Sequence, residues 1–320
     1  MLLSVIISTC NRAERLPQLF QAMEQLEIAP GMSWELVMID NGSRDETWGY
    51  LQRQQARGRL PLICLQQPAP GKSNALNLAL TSYRGELAVF TDDDVVPSTG
   101  WLKAYYQAAL AHPQMLAFAG KVLPLWEGPV PSWLRTEGEF AVPRGIINSR
   151  DFGDAEHVLP ESVIPGGVNT ALRRSALDRM GQFCARLGPG TAFPYAEDTE
   201  YMRRLFALGG RFLYVPLAVI HHRNPASRMT QDYAARWMYQ TGLCQVIAFK
   251  ASTSGPTMFG VPRYLWRQLL QRFLAWAVAF RSRQRFQHRL KFMATLGEMQ
   301  GYRQLAKNGP GVGSSGFSAE

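Results

Sequence analysis

Residues 1–91 alternate four short apolar runs with helix-like segments, and this alternation constrains the fold more than any other feature of the sequence. The runs are rich in β-branched residues and are short enough to be buried strands. Strands that alternate with helices are typical of a mostly parallel, doubly wound α/β sheet. We predict strands at residues 3–9, 35–39, 62–65 and 87–91, and helices at residues 11–25, from 45 onward, and 73–82.

Beyond residue 91 the pattern changes twice. Residues 124–165 are rich in Pro and Gly with interspersed tryptophans, so we predict an irregular lobe over the candidate site. Two short helices are predicted next, at residues 177–180 and 199–208, and then a strand at 211–214. A long helical region is predicted at residues 230–307. The predicted domains are an α/β domain, a helical region and a Gly/Ser-rich disordered tail, at residues 1–228, 229–307 and 308–320.

The composition describes a globular protein, since 46% of the residues are hydrophobic and 18% are charged. Four cysteines lie far apart without a CxxC pair, so neither a disulfide framework nor a zinc site is predicted. No segment approaches the roughly 20 apolar residues that a membrane span needs, and the first residues lack the basic region of a signal peptide. We therefore expect reduced thiols and a cytoplasmic protein, with peripheral attachment to the inner face of the membrane as a further option.

Three adjacent acids, Asp92, Asp93 and Asp94, follow the fourth predicted strand. Like charges repel in a low dielectric, and a divalent cation relieves that repulsion. Mg²⁺ and Mn²⁺ prefer carboxylate oxygens together with substrate phosphates. In an extended segment Asp92 and Asp94 point to the same side, so we expect them to address a metal ion and a bound ligand together. The alternative is a solvated acidic turn, which the preceding apolar strand disfavours.

Two further polar residues stand beside predicted strand ends or helix starts. Asp40 ends the second strand, at the edge where such sheets bind ligands, and could accept hydrogen bonds from a base or a ribose; an ordinary Asx turn is the alternative. The run Pro70–Ser73 resembles a P-loop, but Gln66 stands where that motif needs a glycine. We interpret it as a glycine turn before a helix, with Lys72 near a phosphate or a carboxylate, or simply on the surface.

A second set of titratable residues lies later in the chain. Glu197 and Asp198 open a predicted helix, and His221 and His222 follow the last predicted strand, at residues 219–220. Either acid could be a general base that deprotonates a hydroxyl group, although Asp198 would also serve as an N-cap. One histidine could complete a metal site, but a histidine seen alone is more often structural. These residues indicate a functional site only when they are considered together with the acids at 92–94.

As a set, these residues resemble the family 2 glycosyltransferases, with their nucleotide-binding GT-A fold, from about Ser4 to Arg223. Five matches occur in the family's order: SVIISTCNR at 4–12, VMIDNGSRD at 37–45, GKSNALN at 71–77, the DxD-like DDD at 92–94, and GGVNTALRR at 166–174 with the acids at 197–198 and the histidines at 221–222. Each motif alone is weak, but five in order are specific. The resemblance implies a GT-A sheet of mixed strand direction, followed by the helical region.

The resemblance also implies a role for each candidate residue. On the donor side the assigned residues are Thr9, Asn11, Arg12, Asp40, Lys72, Asp92 and Asp93. Asp40 would contact a uracil base, and the implied metal ligands for Mn²⁺ or Mg²⁺ are Asp92, Asp94 and His222. Asp198 would be the catalytic base with Glu197 beside it, and His222 matches the family's histidine better than His221.

The implied activity is metal-dependent, inverting transfer of a single sugar from a nucleotide sugar, with a UDP-sugar as first choice. The acceptor would be a hydroxyl group of a glycan or a lipid-linked molecule, in polysaccharide or glycolipid biosynthesis. Processive members carry Gln-x-x-Arg-Trp and membrane helices, whereas Tyr233 precedes Arg236 and Trp237 here, so a non-processive enzyme is expected. Asn41 also departs from the second Asp that the family commonly carries.

Two other functions compete with this interpretation. One is a non-catalytic module on a degenerate transferase fold, which would bind a glycan or dock at a membrane. The other is a nucleotidyltransferase, which would favour a glycine-rich loop after the first strand, where this chain has none.

The C-terminal helical region carries the net charge of the chain, which is +9. Between Arg263 and Lys307 there are ten Lys and Arg residues and one acid, Glu298. Apolar residues recur at helical spacing from Trp266 to Phe280. This basic amphipathic pattern predicts contact with an anionic membrane surface through residues 263–291, or packing of the apolar stripe on the catalytic domain. Nucleic-acid binding is not predicted, since no recognised motif accompanies the charge.

Overall fold

A computed structural model describes residues 1–250 and 255–308. Apart from Asn308, which ends the last helix, the predicted disordered tail lies outside the described residues. The chain divides into two compact units. The first comprises Met1–Leu125, Asn148–Ala185 and Tyr201–Arg223, and the second comprises Trp126–Ile147, Arg186–Glu200 and the described residues from Asn224 onward. The predicted domain boundary at residue 228 stays a prediction.

The first unit is built on a mixed sheet, to which the described residues contribute nine strands. Their bounds are β1 Leu2–Thr9, β2 Ser33–Asp40, β3 Leu62–Gln66, β4 Leu87–Thr91, β5 Val95–Pro97, β6 Ala117–Glu127, β7 His157–Val158, β8 Asn169–Arg173 and β9 Phe212–Pro225. The strand order is β3-β2-β1-β4-β8-β6-β9-β5, and β7 pairs with β9. Strands β3, β2, β1 and β4 are parallel, whereas β8 runs antiparallel to β4 and β5 runs antiparallel to β9.

Helices cover both faces of this sheet, as expected for a doubly wound fold. Their bounds are α1 Leu16–Glu24, α2 Thr47–Arg57, α3 Lys72–Leu80, α4 Trp101–Ala111, α5 Arg174–Met180 and α6 Glu197–Ala207. Val5 and Ile7 of β1 pack in one core with α1, α2 and α4, whereas Ile6 packs in the other with α3, α5 and the later part of α6. This alternation follows from the period of two along a strand.

The predicted α/β class and mixed sheet are confirmed, but several elements differ from the prediction. The first four strands lie within two residues of their predicted bounds. Strands β5 to β8 and helix α4 were not predicted, and the strand predicted at 211–214 continues to Pro225 as β9. The predicted irregular lobe begins inside β6 and contains one short 3-10 turn at Arg144–Ile147.

The second unit is mainly helical. Its bounds are α7 Gln231–Phe249, β10 Thr257–Met258, β11 Val261–Pro262, α8 Arg263–Val278 and α9 Ser282–Asn308. Helices α7 and α9 pack closely through glycines: a Cβ atom on Gly297 would lie 1.9 Å from the carbonyl oxygen of Tyr239, and one on Gly242 would lie 2.4 Å from that of Ala294. The predicted helical region at 230–307 thus contains three helices, and between α7 and α8 it is interrupted by a hairpin of β10 and β11 at 257–262. Among the described residues, no helix is both long and apolar enough to span a bilayer.

Candidate metal centre and its surroundings

The Asp triplet lies where β4 leaves the sheet. Asp93 and Asp94 form a turn, after which the chain enters β5. The predicted extended geometry is therefore wrong, because the chain bends here to pair β5 with β9. The turn still brings two of the acids into one cluster, since carboxylate oxygens of Asp92 and Asp94 lie close to the His222 ring.

Three predicted ligands meet at this turn. One ligand atom from each of Asp92, Asp94 and His222 lies within 4.8 Å of the others. The Nε2 atom of His222 is 3.1 Å from Oδ1 of Asp94, and the imidazole is buried, with 1% of it exposed. His222 pairs with Val95 across β9 and β5. Because neighbouring strand residues face opposite sides, His221 points away from the acids. Oxygen and imidazole donors in one cluster fit a divalent cation.

Asn148 also contacts this cluster, although it belongs to none of the sequence motifs. Its Nδ2 atom lies 3.0 Å from Nε2 of His222. If the amide donates, Nε2 carries a lone pair, which is also the form that a metal ion requires. The backbone of Asn148 has φ +50°, a left-handed conformation that Asn tolerates better than most residues. The sequence offered no signal, because one Asn after an irregular segment reads as an ordinary turn.

Lys72 lies beside the first acid of the triplet. Its Nζ atom is 2.5 Å from Oδ1 of Asp92. Of the two partners predicted for this lysine, the structure therefore places a carboxylate next to it. Lys72 begins α3, immediately after Gly71, whose φ of +118° favours glycine. The pair brings a positive charge and a helix N-terminus to the acids.

Asp93 is held from the loop after β1. Thr9 Oγ1 donates a hydrogen bond of 2.7 Å to Asp93 Oδ2, and Arg12 Nε lies 3.4 Å from Oδ1. Burial and the charge of Asp94 raise the pKa of Asp93 from 3.8 to about 6, although Arg12 and Thr9 oppose the rise. Two residues predicted to bind the donor thus hold an acid of the triplet in place.

The loops after β1 and β2 are tied together. The amide of Asn11 donates to Ser43 Oγ over 2.8 Å, and its side-chain oxygen accepts from the amide of Arg44 over 2.8 Å. Asn11 has φ +53°, again a conformation that suits Asn. Asp40 is 1% exposed, and its Oδ1 accepts from the amide of Ser43 at 3.3 Å. The Asx-turn interpretation of Asp40 is therefore realised, and its contact with a base stays a prediction.

Asn41 organises the loop that leads to Lys72. Its Nδ2 donates to the carbonyl oxygens of Gln67 and Ala69, over 3.0 and 2.7 Å. Its Oδ1 accepts from the amide of Gly71 over 2.9 Å. An aspartate could not donate either of the first two bonds. The departure from the family's commoner Asp therefore has a structural reason.

A buried amide network fixes the strands around the triplet. Asn169 is the first residue of β8 and pairs with Thr91, the last residue of β4. Its Oδ1 accepts from Trp101 Nε1 and Tyr105 Oη, both over 2.8 Å. Its Nδ2 donates to the carbonyl oxygens of Lys121 and Ala218, over 3.0 and 2.8 Å, so all four hydrogen-bonding positions are used.

Gly120 makes this network possible. A Cβ atom at this position would lie 2.2 Å from Asn169 Nδ2, 2.3 Å from the carbonyl oxygen of Ala218 and 2.7 Å from Tyr105 Oη. Real Cβ atoms do not approach other atoms this closely, so only glycine fits. The asparagine of the GGVNTALRR match at 166–174 thus has a structural role, because the Asn169 side chain joins α4, β6, β8 and β9.

Glu197 and Asp198 belong to the second unit, where α6 begins. Glu197 is buried, and a Cβ atom on Gly188 would lie 3.1 Å from its Cγ atom. Asp198 lies inside the first helical turn, beyond the N-cap position, and its Oδ1 accepts from the amide of Thr199 over 2.6 Å. The residue before the helix, Ala196, has φ +76°, which is strained for alanine. The catalytic roles of both acids stay predictions.

A neighbouring helix supports this turn within the second unit. Trp237 of α7 makes an edge-to-face contact with Tyr195, with ring centroids 6.3 Å apart. It also lies against Gly145, where a Cβ atom would approach its ring to 2.7 Å. Burial raises the pKa of Tyr195 to about 12. The Arg236-Trp237 pair thus contributes its tryptophan to the packing around the start of α6.

Comparison with known proteins bears on the family and the fold of this chain. A sequence profile described as "Glycosyl transferase family 2" matches residues 4–181. A "Pre-mycofactocin glycosyltransferase" of Mycobacterium tuberculosis is 25% identical over 259 residues, which cover 77% of this chain and 47% of the relative. The chain therefore spans about half the length of that curated relative.

Two solved structures share the fold. The mannosyltransferase PcManGT from Pyrobaculum calidifontis, in complex with GDP-Man and Mn²⁺, has a TM-score of 0.59 and 18% identity, covering 95% of this chain and 87% of its own. S. aureus TarS 1–349, in complex with UDP-GlcNAc, has a TM-score of 0.50 and 16% identity, covering 96% of this chain and 91% of its own. At such identities the likeness concerns the fold alone, and it confirms the GT-A architecture.

Proposed function

Because this chain belongs to the family 2 glycosyltransferases, we propose that it transfers one sugar from a nucleotide sugar to a hydroxyl group, with inversion and with the help of a divalent cation. The observation that carries the metal-dependent part is the cluster of Asp92, Asp94 and His222. The cluster follows the carboxyl end of a parallel strand, which is where sheets of this class bind ligands.

The ligand set favours Mn²⁺ as the ion. Two carboxylates suit both Mg²⁺ and Mn²⁺, whereas an imidazole suits a transition metal better than Mg²⁺. The similar structure from Pyrobaculum calidifontis contains Mn²⁺, which agrees with this choice. When bound, the cation would neutralise charge on the donor's diphosphate as it leaves.

The remaining residues bind, orient and move a proton. Lys72, at the N-terminus of α3, adds positive charge beside the triplet. Thr9 and Arg12 keep Asp93 in position, and Asn41 keeps the loop before Lys72 in position. Asp198 is the proposed base: it accepts the hydroxyl proton while the acceptor oxygen bonds to the anomeric carbon. The bond between that carbon and the diphosphate breaks, and the electron pair leaves with the nucleoside diphosphate.

The substrates are proposed more broadly. A UDP-sugar remains the first choice, although the two similar structures contain a GDP-sugar and a UDP-sugar, so proteins of this fold use both nucleotides. The proposed acceptor is a hydroxyl group of a glycan or a lipid-linked molecule, and the proposed location of the protein is the cytoplasm. A non-catalytic module is a poorer explanation, because three candidate ligands occur together in the first unit.

The proposal is tested by incubating the purified chain with a panel of nucleotide sugars, with and without Mn²⁺. We expect Mn²⁺-dependent release of a nucleoside diphosphate. Release of pyrophosphate would instead indicate a nucleotidyltransferase. Failure to bind any nucleotide sugar in calorimetry would indicate a non-catalytic module.

Asp198 is tested separately with Asp198→Asn. The variant should bind the donor like the original protein and turn over about 10²- to 10⁴-fold more slowly, which is the usual contribution of a general base. Glu200→Gln, in the same helical turn, is the matched control and should keep its rate. Unchanged turnover in Asp198→Asn would remove Asp198 from the mechanism.

A further inference from the structure

Helix α8 carries an exposed apolar line. Leu265 is its one buried residue. Leu270, Leu274 and Val278, spaced four residues apart, are 58%, 52% and 64% exposed. Residues at this spacing lie above one another on a helix. Among residues 1–250 and 255–308, no segment covers this line. The opposite side of α8 is packed, since the ring of Trp276 lies against Phe292 of α9, with centroids 5.5 Å apart and the planes tilted by 31°. From the sequence, this apolar stripe could either pack on the protein or contact a membrane. Part of it has no partner among the residues that the structure describes.

An exposed aromatic residue stands at each end of α8. Phe280, just after the helix, is fully exposed. Phe259, in the hairpin before it, is 79% exposed. Phe259 and Gly260 form the two-residue turn between β10 and β11, with φ +53° and +73°. Such turns favour Asn and Gly, and a bulky side chain there strains the backbone. The ring of Phe259 makes an edge-to-face contact with Trp266, with ring centroids 6.2 Å apart, and the residue nevertheless remains largely exposed.

The charged residues of α8 and of the segment around Phe280 are all positive. Arg263 and Arg267 precede Leu270 by seven and three residues, so they share its side of α8, and both are exposed. Exposed arginines also follow Phe280, at positions 281, 283 and 285. No Asp or Glu occurs between Asp232 and Glu298. A second copy of this chain would bring arginines against arginines, so the charge favours an anionic partner.

We propose that Phe259, the outward side of α8 and Phe280 dock on an anionic lipid bilayer. The apolar side chains would enter the boundary between headgroups and acyl chains, and the arginines would pair with lipid phosphates. A bilayer also accepts separate projecting side chains at a hairpin tip and a helix end, whereas a protein partner would need a matching pocket for each. This surface belongs to the second unit, and its role does not depend on transferase activity.

The test is sedimentation of the full chain with vesicles of phosphatidylcholine, with and without phosphatidylglycerol. We expect binding to the anionic vesicles that weakens as salt is added. A double variant, Leu270→Gln with Leu274→Gln, should bind roughly tenfold or more weakly, because two buried apolar side chains are lost. Arg281→Gln should weaken binding about fivefold, which corresponds to one charge at the lipid surface. The matched control, Leu110→Gln with Leu217→Gln, changes two other exposed leucines, which are 56% and 73% exposed, and should bind normally.

Phe259→Asn separates a docking role from a structural one. Asn suits the left-handed turn, so this variant should unfold at a higher temperature and yet bind anionic vesicles more weakly. Two results would overturn the proposal: equal binding to both kinds of vesicle, or equal loss in the leucine control. A dimer in light scattering that the Leu270→Gln, Leu274→Gln variant dissociates would overturn it as well, in favour of a second copy. Donor binding measured by calorimetry should be unchanged in every variant, which keeps this test independent of the proposed transfer reaction.

Discussion

Two buried carboxylates lie at opposite edges of the same sheet, one where the parallel strands begin and the other where they end, and their surroundings differ. Glu35, near the start of β2, accepts hydrogen bonds from Ser4 Oγ and from the amide and Nε of Arg84, over 2.6, 2.6 and 2.7 Å. Burial alone would raise the pKa of Glu35, but these hydrogen bonds and the charge of Arg84 lower it below 4.5. Asp93, after β4, has a raised pKa because burial and two adjacent acids outweigh Arg12 and Thr9.

The difference separates an acid that stabilises the fold from acids that belong to a site. At Glu35 the protein surrounds one carboxylate with donors. At the other edge it places three carboxylates side by side, which costs stability and suits the binding of a cation. Substitutions at the first edge should therefore change stability, and substitutions at the second should change activity.

The largest effect is expected for Asp94→Ala, at the site edge. Loss of a metal ligand should lower kcat/KM by about 10³-fold, or about 4 kcal/mol, because charge on the leaving diphosphate is no longer neutralised. The temperature of thermal unfolding, measured without metal, should not fall, because the substitution removes one of three carboxylates that repel one another. Mn²⁺-dependent turnover measures the first effect and calorimetry the second. Asp178→Ala, an exposed acid of α5, is the control. Full activity of Asp94→Ala would contradict the assignment of this edge of the sheet to activity and of the Glu35 edge to stability.

At the other edge, Glu35→Ala should lower the free energy of unfolding by about 2–3 kcal/mol, because the hydroxyl of Ser4 and the amide of Arg84 lose their acceptor. Denaturant unfolding provides the measurement. Turnover per folded molecule should stay the same. A loss of turnover as large as that of Asp94→Ala would mean that the two edges are not distinct in function.

Acidification should sharpen the contrast. The pKa of Glu35 is lower in the folded than in the unfolded chain, so the unfolded state binds the proton first as the pH falls. The contribution of Glu35 to stability is therefore complete above its ordinary pKa of 4.5 and is lost as the pH falls through the folded value. Glu35→Gln should show a flatter dependence of unfolding free energy on pH in that range. An identical pH profile in both proteins would contradict this account.

The smallest effect is expected for Asn41→Asp, again at the site edge. A carboxylate would face the carbonyl oxygens of Gln67 and Ala69, which now accept hydrogen bonds. Stability should fall by about 1–2 kcal/mol, and donor binding should weaken because the loop before Lys72 is released. Calorimetry with UDP and Mn²⁺ measures the binding. Normal binding in a destabilised variant would show that the loop's position does not matter for the donor.

The sequence predicted the first four strands and the residues of the metal cluster because both depend on local pattern. The strands are continuous apolar runs, and the acids follow one of them directly. Strands β6 and β8 were missed because their burial depends on partners distant in the chain, as in the pairing of Asn169 with Thr91. Helix α4 did have a helical composition, with several alanines and leucines, but it was not recognised.

Details of the site depend on contacts that a pattern does not contain. The acids follow the strand in a turn and not in an extended segment, because β5 must reach β9. Thr9 and Arg12 were expected to face a nucleotide, and they contact Asp93. Asn148 contacts the cluster because its backbone adopts a left-handed conformation, which cannot be predicted from a single sequence. Position along the chain thus predicted the candidate ligands, and tertiary pairing determined their neighbours.

The saturated amide of Asn169 also bears on how such chains can diverge. The atoms around Asn169 leave no space for a side chain at Gly120. The side-chain oxygen of Asn169 accepts hydrogen bonds from both the hydroxyl of Tyr105 and the indole of Trp101. A substitution at any one of these positions leaves a buried polar group without a hydrogen-bond partner or creates a steric clash. Across related sequences we therefore expect substitutions at these four positions to occur together, while loops outside this network vary independently of them.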